Sequence, residues 1–170
     1  MIAAALPRVL LIGYGNPGRL DDGLGVGLAS RLEKAALPNV TIDIDYQLSV
    51  EHAEMIARHD VVIFADAAVA GPEPFGWSRL APSDEVSFST HSVSPEAVLG
   101  MAHRLFDART RGYVLGIRGY LFNNFEESLS VGARENLKAA IAFIEQVIRD
   151  NALDEAADRM VPAEKSPDAG

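Results

Sequence analysis

Apolar residues fall in short runs separated by longer stretches of helical spacing. Val9-Leu-Leu-Ile-Gly13 and Val61-Val-Ile-Phe-Ala-Asp66 are continuous runs, the pattern of strands buried on both faces of a sheet. Between them, Val40, Ile42, Ile44 and Tyr46 alternate with polar residues and predict a half-exposed strand. Further strands are predicted at 75–80 and 113–119. Leu24, Leu28 and Leu32 mark one face of a helix over 22–36, and Ser49 is the expected N-cap of a short helix ending at Arg58. Ser94-Pro95 sets a capping residue before a proline at the first helical position, with Val98, Leu99, Ala102, Leu105 and Phe106 as the apolar stripe. Leu137, Ile141, Ile144 and Ile148 give the last helix its 3.6-residue period.

Strands alternating with helices predict an α/β fold: a single three-layer domain over 1–150, with a mainly parallel twisted sheet flanked by helices. From Asn151 the pattern stops. Residues 151–170 carry five acidic and two basic side chains and read as a disordered acidic tail. At 170 residues the chain needs no staples to fold. Its net charge of −9 opposes sequence-independent binding to nucleic acid and attachment to anionic membranes. The absence of cysteine removes thiolate catalysis and cysteine-ligated metal. With neither a signal peptide nor a membrane span in the pattern, the chain reads as cytoplasmic.

Gly13-Tyr-Gly15-Asn-Pro-Gly18 fits the spacing of a dinucleotide-binding turn, but Pro17 removes one backbone donor and Asp21-Asp22 place negative charge where phosphates would sit. Taken alone, the two aspartates read as helix-start caps, complementing the helix dipole. Gly23, Gly25 and Gly27 in the same helix start point to close approach of a backbone or a ligand. Asp66 ends a buried strand at its carboxyl end, where open α/β sheets place ligands, and His91 lies in the loop before the Ser94 cap. Two carboxylates and an imidazole at one sheet edge suit zinc, nickel, iron or manganese better than calcium. His52, His59 and His103 read as surface residues.

Gly13-Tyr-Gly-Asn-Pro-Gly-Arg-Leu-Asp-Asp-Gly-Leu-Gly25 resembles the signature of the hydrogenase maturation proteases, and the resemblance continues through Phe64-Ala-Asp66-Ala, His91 to Leu99, Gly116-Ile-Arg-Gly119 and Leu129-Ser130. It implies an endopeptidase that removes the C-terminal extension of a nickel–iron hydrogenase large-subunit precursor after nickel insertion. Asp22, Asp66 and His91 then take the catalytic and metal-binding roles, with Asp21 a competitor to Asp22. Nickel is expected to be supplied by the precursor, the implied partner. The chain holds neither a G-x-S-x-G elbow nor an H-E-x-x-H motif, which leaves a carboxylate or a metal to act on the peptide bond. The alternative reading is a non-catalytic nickel-binding assembly chaperone, and after it a nucleotide-binding domain.

Overall fold

The apolar runs become neighbours in one sheet. In the computed structural model, which describes residues 5–84 and 93–160, β1 (Val9–Tyr14) lies between β2 (Val40–Asp45) and β3 (Val61–Ala68). β5 (Arg111–Arg118) pairs with β3, and β4 (Phe75–Leu80) closes the edge, giving the order β2-β1-β3-β5-β4. All pairs are parallel except β4 with β5. The connection from β3 to β4 spans only residues 69–74, too short for a crossover helix, so β4 returns antiparallel. The domain is therefore a five-stranded, mostly parallel α/β sheet flanked by helices.

The two faces of the sheet bury separate cores. Leu11, Ile63 and Leu115 face α1 (Leu24–Ala35) and α4 (Val131–Arg149), while Leu10, Ile12, Val62 and Phe64 face α2 (His52–Ala57) and α3 (Pro95–Phe106). Coverage on both sides is why Val61 to Ala65 form an unbroken apolar run. Leu24, Leu28 and Leu32 are buried along α1, as their spacing predicts. At Gly25 a Cβ would sit 2.3 Å from the Ala65 carbonyl oxygen and 2.8 Å from that of Tyr14. Only glycine lets the start of α1 rest on the carboxyl ends of β1 and β3. That contact brings the preceding 3-10 turn, Leu20–Gly23, over the sheet edge where the site lies.

Three expectations need correction. Ser49 does not cap α2: the helix begins at His52, and the Ser49 side chain meets the His52 ring instead. The α3 stripe stops at Ala102, since Leu105 and Phe106 in the last turn are exposed. The tail expected from Asn151 contains a helix, α5 (Leu153–Met160), whose Leu153, Ala156 and Ala157 are buried. Trp77 Nε1 donates to the Leu153 carbonyl and Tyr113 Oη to Asp154 Oδ1, so α5 belongs to the domain. Its three- and four-residue apolar spacing is short and diluted by charge, which hid it. Residues 161–170 lie outside the described residues. No helix among the described residues is long and apolar enough to cross a membrane.

Candidate active site

Past the end of β1 the chain turns sharply at Gly15, whose φ of +134° is open to glycine and strained for other residues. A Cβ there would sit 2.2 Å from the carbonyl oxygen of Asp22. The tight turn lets Asn16 N–H donate to Asp22 Oδ2 at 2.9 Å, and Gly18 N–H donates to Asn16 Oδ1 at 2.9 Å. The loop donors that a pyrophosphate would need are thus already engaged, one by a carboxylate. A helix N-terminus is not at hand either, since α1 begins only at Leu24. The glycine-rich turn holds an aspartate.

Asp21 and Asp22 are adjacent in sequence and have separate tasks. Asp21 is 0 % exposed and accepts four hydrogen bonds: from Tyr120 N–H (2.8 Å), Leu121 N–H (2.9 Å), Ser130 N–H (2.8 Å) and the Ser130 hydroxyl (2.7 Å). Burial opposes its ionisation, but the N–H groups of Leu121, Ser130 and Tyr120 and the Ser130 hydroxyl outweigh it and hold the carboxyl below the usual range. Asp21 therefore clamps the loop between β5 and α4. Asp22 is only partly buried and faces Asn16 and the site.

Asp66 lies in β3 on the face that carries Val62 and Phe64. The pairing of Gly13 with Ala65 places Tyr14 beside it on the neighbouring strand. Burial drives the Asp66 pKa up. The Ala67 N–H, donating to Oδ1 at 2.8 Å, and the Tyr14 hydroxyl pull it down, while the charge of Asp22 adds to the rise; the balance lies at about 6. Tyr14 is itself pushed far above its ordinary range, by burial first and then by Asp66, so it remains a neutral hydroxyl. Among the described residues, no Lys, Arg or His forms an ion pair with Asp22 or Asp66. Two carboxylates at the carboxyl edge of a parallel sheet, with no counter-cation among the described residues, fit a divalent metal in both charge and donor type. His91, the third predicted ligand, lies outside the described residues. Just beyond, Glu96 in the first turn of α3 exerts its charge on Tyr14.

The sequence reading placed His52 on the surface, whereas it is 4 % exposed. Its Nδ1 accepts the Ser49 N–H at 3.0 Å, which assigns the ring proton to Nε2, and Nε2 donates to Asp43 Oδ2 at 3.0 Å with Asp45 Oδ2 at 3.5 Å. Among the described residues these three form the one group whose ligand atoms lie within 4.8 Å of one another. The Ser49 bond keeps Nε2 in its donor form, so the group ties the start of α2 to the edge strand β2. The alternation in β2 carried the signal, because Asp43 and Asp45 share the face opposite Val40 and Ile42. His59 and His103 are each held by a backbone carbonyl, of Met55 and Thr110 respectively.

No family model matches the chain. It is 28% identical over 152 residues to the hydrogenase expression/formation protein HupD of Rhizobium leguminosarum bv. viciae, covering 84% of this chain and 75% of that one. Several solved structures share its fold, among them two hydrogenase maturation enzymes. The [NiFe] hydrogenase maturation protease HycI of Thermococcus kodakarensis aligns with a TM-score of 0.66 at 24% identity, over 84% of this chain and 92% of that one. The hydrogenase maturating endopeptidase HybD of E. coli aligns with a TM-score of 0.62 at 23% identity, over 85% and 94%.

Proposed function

We propose that this relative of the hydrogenase maturation proteases is a processing endopeptidase that removes the C-terminal extension of a nickel–iron hydrogenase large-subunit precursor once nickel is in place. One arrangement carries the reading: Asp22 and Asp66 both lie at the carboxyl edge of the sheet, near enough for the charge of Asp22 to reach Asp66, without a cationic partner among the described residues. Nickel belongs to the precursor in this reading and arrives with it as part of the substrate. When bound, it would supply a positive charge to orient the precursor and to polarise its peptide carbonyl.

The chain's own residues supply the rest. Asn16 N–H fixes the Asp22 carboxylate, and Ala67 N–H fixes that of Asp66. The Asp66 oxygen left free by a cation can take a proton from water and return it to a leaving amine, the work of a general acid–base. Tyr14, kept neutral beside it, orients that carboxyl without competing for the proton. Asp22, Asp66 and His91 are assigned to metal recognition and catalysis together.

Nickel-loaded and nickel-free precursor should behave differently when mixed with the purified chain. Electrophoresis is expected to show the loaded precursor shortened and the nickel-free form intact. Equal cleavage of both would remove metal recognition from the mechanism. A loaded precursor that binds but stays full length would favour the assembly-chaperone role.

A further inference from the structure

The face of the sheet that carries Asp66 continues beyond it as a row without side chains. Asp66 pairs with Gly116 of β5, and Gly116 pairs with Gly76 of β4, so the three positions stand in register on one face. Val114 and Ser78 form the next row, and Ala68 follows Asp66 on its own strand. Ala68, Gly116, Val114, Gly76 and Ser78, with Pro72 from the β3–β4 connection, wall a cavity of about 350 Å³. Gly116 is one strand from Asp66, about 4.8 Å, and Ala68 is the next residue on the same face of β3. The cavity therefore begins beside the Asp66 carboxyl.

Neither glycine is demanded by the fold. Both lie outside the left-handed region. A Cβ at Gly116 would meet that of Ala68 at 3.5 Å, and one at Gly76 would meet Pro72 Cγ at 3.6 Å, both ordinary van der Waals contacts. Gly25 differs, because carbonyl oxygens exclude a side chain there. Glycine inside a strand weakens it and often marks the approach of a ligand or another backbone. No charged residue stands in the cavity wall among the described residues. The charges that adjoin the wall in sequence are engaged elsewhere. Glu73 accepts the Tyr120 hydroxyl, Arg79 pairs with Asp154 and Asp158, and Arg118 donates to the carbonyls of Gly71 and Gly119.

Across the sheet, then, Asp22 lies beyond the end of β1, Asp66 in β3, and the uncharged trough over β5 and β4. An endopeptidase holds peptide on both sides of the bond it cuts. A cation shared by Asp22 and Asp66 keeps the metal-bearing body of the precursor on the β1 side, which leaves the β5–β4 side to the segment beyond the bond. We infer that the trough over Gly116 and Gly76 is the subsite for the precursor's C-terminal extension, which crosses the two strands with an uncharged side chain in the cavity. Gly76 and Gly116 are then specificity-determining positions, whose lack of side chains lets the peptide backbone reach Asp66. This inference rests on the proposed function for the identity of the occupant.

Gly76→Val and Gly76→Phe test it, since Gly76 is two strands from Asp66, about 10 Å, and a side chain there fills the trough without touching that carboxyl. Melting temperature, cleavage kinetics and calorimetric binding are measured with nickel-loaded precursor, and binding also with nickel-loaded large subunit that lacks the extension. Both variants should melt no lower than wild type, because a side chain replaces a strand glycine. KM for the precursor should rise about threefold in Gly76→Val and at least about tenfold in Gly76→Phe, with kcat within about twofold of wild type. Binding of the precursor should weaken in step, while the subunit lacking the extension should bind variants and wild type alike. Unchanged KM and affinity in both folded variants, beside a wild type that cleaves, would overturn the subsite and leave the peptidase reading intact. Equal weakening with and without the extension would overturn the assignment of the trough to the extension. Wild type that binds without cleaving, with only full-length precursor weakened in the variants, would uphold the subsite and overturn the peptidase. Wild type that neither binds nor cleaves would overturn both.

Discussion

Asp66→Asn is expected to abolish precursor cleavage and, at the same time, to stabilise the metal-free protein above about pH 6. The loss follows from chemistry: an amide neither accepts a proton from water nor offers a full negative charge to a cation, and such roles are worth at least about a hundredfold in rate. The gain follows from linkage. Because the folded pKa is raised from 3.8 to about 6, ionising Asp66 costs the fold free energy. The advantage of the neutral form is complete below pH 4 and is lost as pH rises through 6. Asparagine resembles the neutral form at every pH and keeps an oxygen for the Ala67 N–H. Wild type and variant should therefore melt together near pH 4. By pH 8 the variant should lead by up to about 3 kcal/mol, or roughly 5–10 °C. Melting curves across that range, run beside the cleavage assay, check both halves. A variant less stable than wild type at pH 8 would show that the environment of Asp66 favours its charge.

Asp21→Asn should do the opposite, losing stability because its carboxylate is fully used. Whichever way the amide turns, its NH₂ group meets a backbone N–H that an oxygen now accepts, leaving buried donors facing each other. The expected cost is about 2–4 kcal/mol, a fall of roughly 5–15 °C in Tm at neutral pH. Since the wild-type carboxyl is held below its usual range, its contribution is present above pH 4 and is lost as pH falls through the folded value. The gap between variant and wild type should thus close in acid. A Tm within 2 °C of wild type at pH 7 would mean that the clamp contributes about 1 kcal/mol or less. Any fall in activity for this variant should track the loosened loop, in contrast to Asp66→Asn.

The sequence read alone reached the parallel strands, the α1 stripe and the Ser94-Pro95 start of α3, because each carries its own local period or cap. It also singled out Asp66 from its place at the end of a buried run. The separation of Asp21 from Asp22 was not legible. It depends on backbone N–H groups of residues 120, 121 and 130, about a hundred positions away, which only the fold brings to Asp21. His52 was misplaced for a similar reason, since its partner Asp43 lies on a different element. The helical α5 was masked by acidic composition, although its Leu153 and alanines cover β4. Local pattern shows elements; the use of a polar side chain is set by what tertiary contact delivers to it.

The central claim, that Asp22 and Asp66 form a peptidase centre, is tested most directly by the intact mass of the large subunit after incubation of nickel-loaded precursor with the purified chain. Wild type is expected to yield a large subunit lighter by the C-terminal extension, together with the free peptide, while Asp22→Asn and Asp66→Asn leave the precursor at full mass. An unchanged mass with wild type, or a shortened subunit with both folded variants, would contradict it.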